Sequence, residues 1–299
     1  MAANNSQTAV DQLYLAYKPL LASIAYRMLG SASEAEDAVQ DVFASLSKQR
    51  DIHLEYPKAY LVKMMTNHLL NIMKSAPRNR TNYLGLWLPE PIIDRGAANG
   101  PLEMMLRRER LGYALLVLLQ TCTPLERAVF VLYRSFGYSH KDIAMLLDKS
   151  EAACRKIYSR ACAKIGQHAC IDDNAALDES VEQLVKTFAH TLETGRFEGF
   201  MRLLTEDAVL LSDGGGVVRA AINPIKGRDR ITAFFSGIAG KGSLNGDLHH
   251  VRISGQHGLL LLRDNKPPFV LAFEPDLALQ AIRAVYLIVN PEKLTRVVG

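Results

Sequence analysis

From Leu13 to Ser75 apolar residues recur every three to four positions, the period of helices that bury one face. Leu13, Tyr17, Leu20, Leu21, Ile24 and Met28 form the first stripe, which Gly30 ends. Ser33 and Glu36 have capping-box spacing for a second helix, with Ala35, Ala38, Val39, Val42, Phe43 and Leu46 as its buried stripe. Its opposite side carries Asp37, Gln40 and Asp41, two carboxylates one turn apart. Like charges at that spacing cost an isolated helix a few tenths of a kcal/mol (~0.3), a penalty that a basic partner surface turns into attraction. A third helix is predicted from Pro57, at or near its first position, to Ser75. Tyr60, Leu61, Met64, Met65, Leu69, Ile72 and Met73 give it an apolar side, and Lys63, Thr66, Asn67, His68, Asn71 and Lys74 a polar one.

The pattern breaks between Pro77 and Pro101, where four prolines and three glycines rule out a continuous helix or strand. This stretch nevertheless holds the only tryptophan, in Leu86-Trp87-Leu88-Pro89-Glu90-Pro91. Leaving that side chain in water forfeits about 2 kcal/mol, so an ordered, extended linker docked on another surface is expected. Helical periodicity resumes from Leu102 to Leu119. Thr123-Pro124-Leu125-Glu126 then supplies a cap, an N1 proline and a capping glutamate for a helix ending at Gly137. From Tyr138 to Arg160 the chain reads as two short helices joined by a tight turn. Ser139 and Asp142 cap the first, Ile143, Leu146 and Leu147 form its apolar stripe, and Asp148-Lys149-Ser150 makes the turn, with Ser150 as the next N-cap. On the second helix Cys154, Ile157, Tyr158, Ala161 and Ile165 share one face, and Arg155, Lys156, Ser159, Arg160 and Lys164 the other. A helix with cations and hydroxyls opposite its buried side has the form of a major-groove reader.

From about Ala175 the character changes. Asp178 is the expected cap of an amphipathic helix (Val181, Leu184, Val185, Phe188, Leu192), followed by a short second helix. Strand-like runs follow at Ala208–Leu211, Val217–Ala221, His249–Ile253, Leu259–Arg263, Phe269–Phe273 and Ala281–Val289, with a third helix over Arg228–Ile238. Helices followed by a curved antiparallel sheet make a separate α+β domain. The predicted division is a helical domain over 1–76, a linker over 77–101, a helix-turn-helix domain over 102–170 and the α+β domain over 175–299.

Composition changes this picture little. A hydrophobic share of 48% and a charged share of 22% are ordinary for a soluble chain. The net charge of +4 is uneven: residues 1–170 carry a surplus of six cations and 171–299 a surplus of two anions. The basic half therefore contains the helix-turn-helix, as a nucleic-acid partner favours. Met1 to Gln12 is polar and no apolar run approaches a membrane span, so a cytoplasmic protein is expected. Cys122, Cys154, Cys162 and Cys170 form no CxxC pair and are expected as free, reduced thiols, the alternative being a metal or redox site with His168. No metal and no cofactor are expected.

These motifs resemble a sigma-70 family factor of the small, extracytoplasmic-function type. Glu36-Asp37-Ala38-Val39-Gln40-Asp41-Val42-Phe43 is similar to the family's signature helix, which docks on the polymerase clamp. Ala59-Tyr60-Leu61-Val62-Lys63 through Asn67 is similar to the helix that opens the minus-ten element, and Ser139 to Arg160 to the region-four helix-turn-helix that reads minus-thirty-five. Trp87-Leu88-Pro89-Glu90-Pro91, Asp213-Gly214-Gly215-Gly216 and Asn290-Pro291-Glu292-Lys293-Leu294 resemble motifs of the subgroup with a C-terminal SnoaL-like domain. The resemblance implies a multidomain fold: two all-α sigma domains, the second with the helix-turn-helix, then an α+β SnoaL-like cone. It implies core RNA polymerase and promoter DNA as partners, with polymerase held by Asp37, Gln40 and Asp41. DNA is assigned to Tyr60, Lys63, Asn67, Lys74, Ser150, Arg155, Lys156, Ser159 and Arg160. The three linker and C-terminal motifs are assigned to regulation between domains, and a small-molecule ligand in the cone is an open option.

The sequence departs from the family at Thr66 and Ile72, where arginine is usual, and at Asn71, where aspartate is. Asp148 stands for the usual turn glycine, and Ser254-Gly255-Gln256-His257 for an Asn-Gly-x-Pro turn. Two other classes compete with a transcription initiation factor. One is an ordinary helix-turn-helix regulator with a ligand-binding or enzymatic SnoaL-like domain, which has no use for the acidic-faced helix or the promoter helix. The other is an enzyme drawing on Asp213, Asp247, His249, His250 and His257. Spacing alone does not make those five converge, so no enzyme is expected.

Overall fold

Three helices begin the chain: α1 (Ala2–Leu29), α2 (Ala32–Ser47) and α3 (Pro57–Ser75). This is a computed structural model, and it describes residues 2–49, 54–75, 85–94, 112–166 and 175–298, save 196, 198, 277 and 279. Residues 102–111 of the expected long helix, His168 and Cys170 lie outside that set. Gly30, at φ 76, ends α1. Ser31 is the extended residue that follows, and its hydroxyl accepts from the Glu34 amide at 3.3 Å, so Ser31 caps α2. Ser33 was the expected cap, but it lies inside the first turn. Leu21, Ile24, Tyr26 and Met28 of α1, Ala35, Val39 and Val42 of α2, and Leu61, Val62, Met65 and Leu69 of α3 are buried.

The described residues divide into two compact units. The first takes those of Met1–Thr81 and Leu118–Cys170, the second those of Asn82–Gly96, Arg110–Val117 and Ile171–Gly299. Beyond α4 (Tyr113–Leu119), the first unit contains α5 (Pro124–Phe130), α6 (His140–Leu147) and α7 (Glu151–Ile165). Thr123 and Glu126 close the capping box of α5, and Ser139 and Asp142 that of α6. α5 passes into a π-helical turn over Val131–Ser135, which the sequence pattern did not announce. The buried Arg127 guanidinium donates to the Met28 carbonyl at 2.7 Å, placing a cation at the C-terminal end of α1.

In the second unit α8 (Ala175–Thr194), a 3-10 turn (Phe200–Leu203) and α9 (Arg228–Gly240) accompany a seven-stranded sheet. Its strands are β1 (Ile93–Asp94), β2 (Leu204–Asp213), β3 (Ile225–Lys226), β4 (Asp247–Ile253), β5 (Gln256–Leu262), β6 (Phe269–Asp276) and β7 (Ala281–Ile288), in the order β1-β4-β5-β6-β7-β2-β3. Phe188, Phe200, Phe235 and Phe273 interlock between helices and sheet, with ring centroids 4.8–5.6 Å apart. Three expectations need correcting. The sheet is mixed, because β2 pairs with β7 in parallel. The connection through α9 and four strands is long enough to bring the chain back in the same direction, which a hairpin cannot do. Val217–Ala221 is no strand: the Gly214 carbonyl accepts from the amides of Val217 and Val218 at 3.1 and 3.0 Å, and this turn takes the segment off the sheet. Asp178 lies within the first turn of α8 rather than before it.

Candidate functional site

Asp37, Gln40 and Asp41 are all exposed on α2, opposite its buried stripe. Asp41 Oδ2 lies 3.2 Å from His68 Nε2 on α3. On α3 itself Asn67 and Lys74 are exposed, and the Tyr60 hydroxyl is joined to the Gln49 amide. Lys63 is engaged, its Nζ 2.8 Å from Asp148 Oδ1 in the turn between α6 and α7. Both partners are open to solvent, so this pair contributes about 1 kcal/mol at most. Thr66, counted from sequence on the polar side, is fully buried and donates back to the Val62 carbonyl at 2.7 Å. The arginine usual at that position would therefore not point outward here.

The turn before α7 is built by Asp148 in the left-handed region (φ 52, ψ 52), a conformation that aspartate tolerates. Ser150 then accepts from the Ala153 amide at 3.2 Å. Cys154, Ala161 and Ile165 hold α7 to the core, and Tyr158 packs on Phe130 and Tyr133. Arg155, Lys156, Ser159 and Arg160 remain exposed as one contiguous face, and Arg155 pairs with Glu151 one turn back. Lys164 leaves that set: it bonds Glu126 at 2.6 Å and so serves the α5 cap. Burial raises the pKa of the Cys122 and Cys154 thiols, which keeps them protonated and unreactive.

A third constellation forms within the second unit. The Asp213 carboxylate is enclosed, with Oδ2 accepting from the Leu88 amide at 2.9 Å and from Lys293 Nζ at 2.6 Å, and Oδ1 accepting from the Gly215 amide at 3.0 Å. Lys293 also donates to the Leu88 carbonyl and stands 4.1 Å from the centre of the Trp87 ring. Gly214 and Gly215 have no room for a side chain. A Cβ on Gly214 would meet the Val218 carbonyl at 2.2 Å, and one on Gly215 would meet the Asn290 side chain at 2.5 Å. Asn290 accepts from the Glu292 amide, and Leu294 is buried beside the 3-10 turn over Pro291–Lys293. Pro89, Glu90 and Pro91 are buried as well, and Gly216 is an exposed turn residue. The structure thus brings the three separate motifs together. It adds participants that spacing could not reveal. Tyr113 donates to the Pro89 carbonyl, Ser254 exchanges hydrogen bonds with Ile92, and Arg296 faces Glu90 at 3.5 Å. Through Ile92 the linker enters β1 and pairs with β4.

The five acid and histidine residues weighed for catalysis do not converge. Asp213 belongs to the linker contacts, and Asp247 and His249 are exposed. Only His250 and His257 approach each other, with ring centroids 5.0 Å apart. No described helix is long and apolar enough to cross a membrane.

Residues 13–79 match the model of sigma-70 region 2, and residues 113–165 that of sigma-70 region 4. The chain is 31% identical over 221 residues to the ECF RNA polymerase sigma factor SigJ of Mycobacterium tuberculosis, covering 73% of this chain and 69% of that protein. It is 28% identical over 161 residues to the same organism's probable ECF RNA polymerase sigma factor SigI, covering 53% and 54%. The crystal structure of M. tuberculosis SigJ shares its fold, with a TM-score of 0.75 over 94% of this chain and 96% of that one, at 24% identity.

Proposed function

The chain belongs to the extracytoplasmic-function RNA polymerase sigma factors, and from that premise we propose that it binds core RNA polymerase and directs it to promoters. The observation that carries the reading is the contiguous exposed face of Arg155, Lys156, Ser159 and Arg160 on the second helix of a capped helix-turn-helix. Cations and a hydroxyl on that face suit phosphate and base-edge contacts in a major groove. Ser150, at the N-terminus of α7, offers that end of the helix to a phosphate. Asp37, Gln40 and Asp41 are the proposed polymerase-docking face. Tyr60, Asn67 and Lys74 are the proposed contacts to the opened minus-ten strand, the aromatic and amide for unstacked bases and the lysine for phosphate. Lys63 joins them once it leaves Asp148, a weak surface pair that is easily given up. The role is binding and strand capture, without covalent chemistry, in the cytoplasm where polymerase works.

The proposed division is region two over 1–76, the linker over 77–101, region four over 102–170 and the C-terminal domain over 175–299. The C-terminal domain is further proposed to regulate in cis. What supports this is the grip of Asp213 and Lys293 on both backbone groups of Leu88, in the stretch that joins the two sigma regions. The test is in vitro transcription with core polymerase and a promoter library. Promoter-specific transcripts that depend on the protein are expected, and a Lys293→Met protein should change their yield or promoter preference. Absence of any protein-dependent transcript would sink the sigma reading. An unchanged profile in Lys293→Met would remove the regulatory part alone.

A further inference from the structure

We propose that Glu182, His250 and His257 form a site for one divalent transition-metal ion of the zinc type, lying between α8 and the β4–β5 hairpin. This inference does not depend on the polymerase reading. On β4, His250 and Arg252 are two residues apart and so share a face of the sheet. Cross-strand pairing sets His257 opposite Arg252, which puts the two imidazoles on a diagonal. α8 lies against both strands, with Glu182 one turn beyond Asp178. One ligand atom from each of Glu182, His250 and His257 lies within 4.8 Å of the other two. A tetrahedral zinc ion with nitrogen and oxygen ligands needs those atoms about 3.3 Å apart. Rotation of the exposed His250 and the half-buried Glu182 supplies that contraction, while His257 is held in place.

The second observation comes from His257 itself. Its side chain is only 7% exposed, and its Nδ1 is buried without a hydrogen-bond partner. The other nitrogen, Nε2, lies 3.3 Å from Asp178 Oδ1 and 3.1 Å from Arg252 Nη2. Arg252 can only donate, so Nε2 accepts and Nδ1 carries the proton when no metal is bound. A metal on Nδ1 would move that proton to Nε2, where Asp178 can accept it, the arrangement that orients metal-bound histidines. Asp178 is therefore the proposed positioning residue. Lys186 now pairs with Glu182 at 2.7 Å and would be displaced, leaving Asp178 and Glu182 as the negative charges facing the ion. Three protein ligands leave the fourth position to water.

The test uses the full-length protein, stripped with a chelator and titrated with cobalt(II) and zinc(II). Visible absorption reads cobalt coordination, and calorimetry reads zinc stoichiometry. One equivalent is expected, with zinc displacing cobalt. Since His257 is buried and its loss risks the fold, His250→Ala and Glu182→Gln carry the argument, each checked for unchanged helicity. Each should weaken zinc binding at least about tenfold and abolish the rise in melting temperature that zinc gives the unaltered protein. Failure to bind one equivalent overturns the proposal. So does equal affinity in both variants, which would place the ion elsewhere.

Discussion

Asp213 keeps its carboxylate out of solvent with one cation, Lys293, and two backbone amides around it. Removing the cation leaves a buried charge without its counter-ion, a loss of about 3–5 kcal/mol. Lys293→Met should therefore lower the melting temperature and shift the emission of Trp87, whose ring Lys293 covers. Because Trp87 is the only tryptophan, its fluorescence reports this contact directly, and an unchanged spectrum would show that the contact does not form in solution. Gly215→Ala combines a left-handed backbone (φ 64) with a clash on Asn290. The conformation alone costs about 1–2 kcal/mol, so chemical denaturation should show at least that loss. His257 gives a pH dependence with a definite sign. Its pKa is lowered from 6.5 by burial and by Arg252, while Asp178 and Glu182 from α8 oppose the shift and the neighbouring His250 adds to it. The unfolded chain takes up the proton as pH falls through 6.5, and the folded chain only lower. Stability should thus fall with pH over that interval and level off below the folded value. The acid side of the melting profile should be shallower in His257→Gln, and an identical slope would assign the dependence to other groups.

At the scale of elements, caps account for much of the local structure. Ser139 with Asp142, Thr123 with Glu126, and Ser150 were legible because a cap needs only neighbours three residues apart. The start of α2 was misplaced by two residues because Gly30 sets where the chain can turn, and Ser31 and Ser33 are equally good caps on paper. On α2, Asp37→Lys with Asp41→Lys should abolish core-polymerase binding in a pull-down without loss of helicity, since both side chains are exposed. Normal binding would end the docking assignment. On α7, Arg155→Ala and Arg160→Ala should each weaken promoter DNA binding and spare polymerase binding. A base-edge contact would cost about 1–3 kcal/mol and relax specificity, and a phosphate contact would lower the salt slope by about one. If quantitative DNA titrations show neither pattern, α7 is not the reading helix.

At the scale of the molecule, the linker is where local pattern and three-dimensional structure meet. Its prolines and Trp87 predict an extended, docked segment, and the second unit supplies the dock within the same chain. By sequence, truncation from Asn290 is expected to change transcription more than it changes stability. The structure argues otherwise, because Asn290 and Leu294 are buried and Lys293 neutralises Asp213, so truncation would damage the second unit itself. Hydrogen exchange is the gentler measurement. The Leu88 and Ile92 amides, bonded to Asp213 and Ser254, should exchange slowly in the full chain and faster in Lys293→Met. Equal rates would mean that Lys293 does not hold the linker.

The sequence alone determined the helical stripes, the helix-turn-helix and its cationic face, and four hairpin-linked strands, because period and capping are properties of neighbouring residues. Tertiary structure decided what spacing cannot encode. It turned β2 parallel to β7, assigned Lys63 to Asp148 and Lys164 to Glu126, and buried Thr66. It also gathered Trp87, Asp213 and Lys293 at one point, and set His250 and His257 against Glu182. Each of these is a meeting of residues distant in the chain or a choice of face at a boundary, fixed by how the elements pack and not by the order in which they are written.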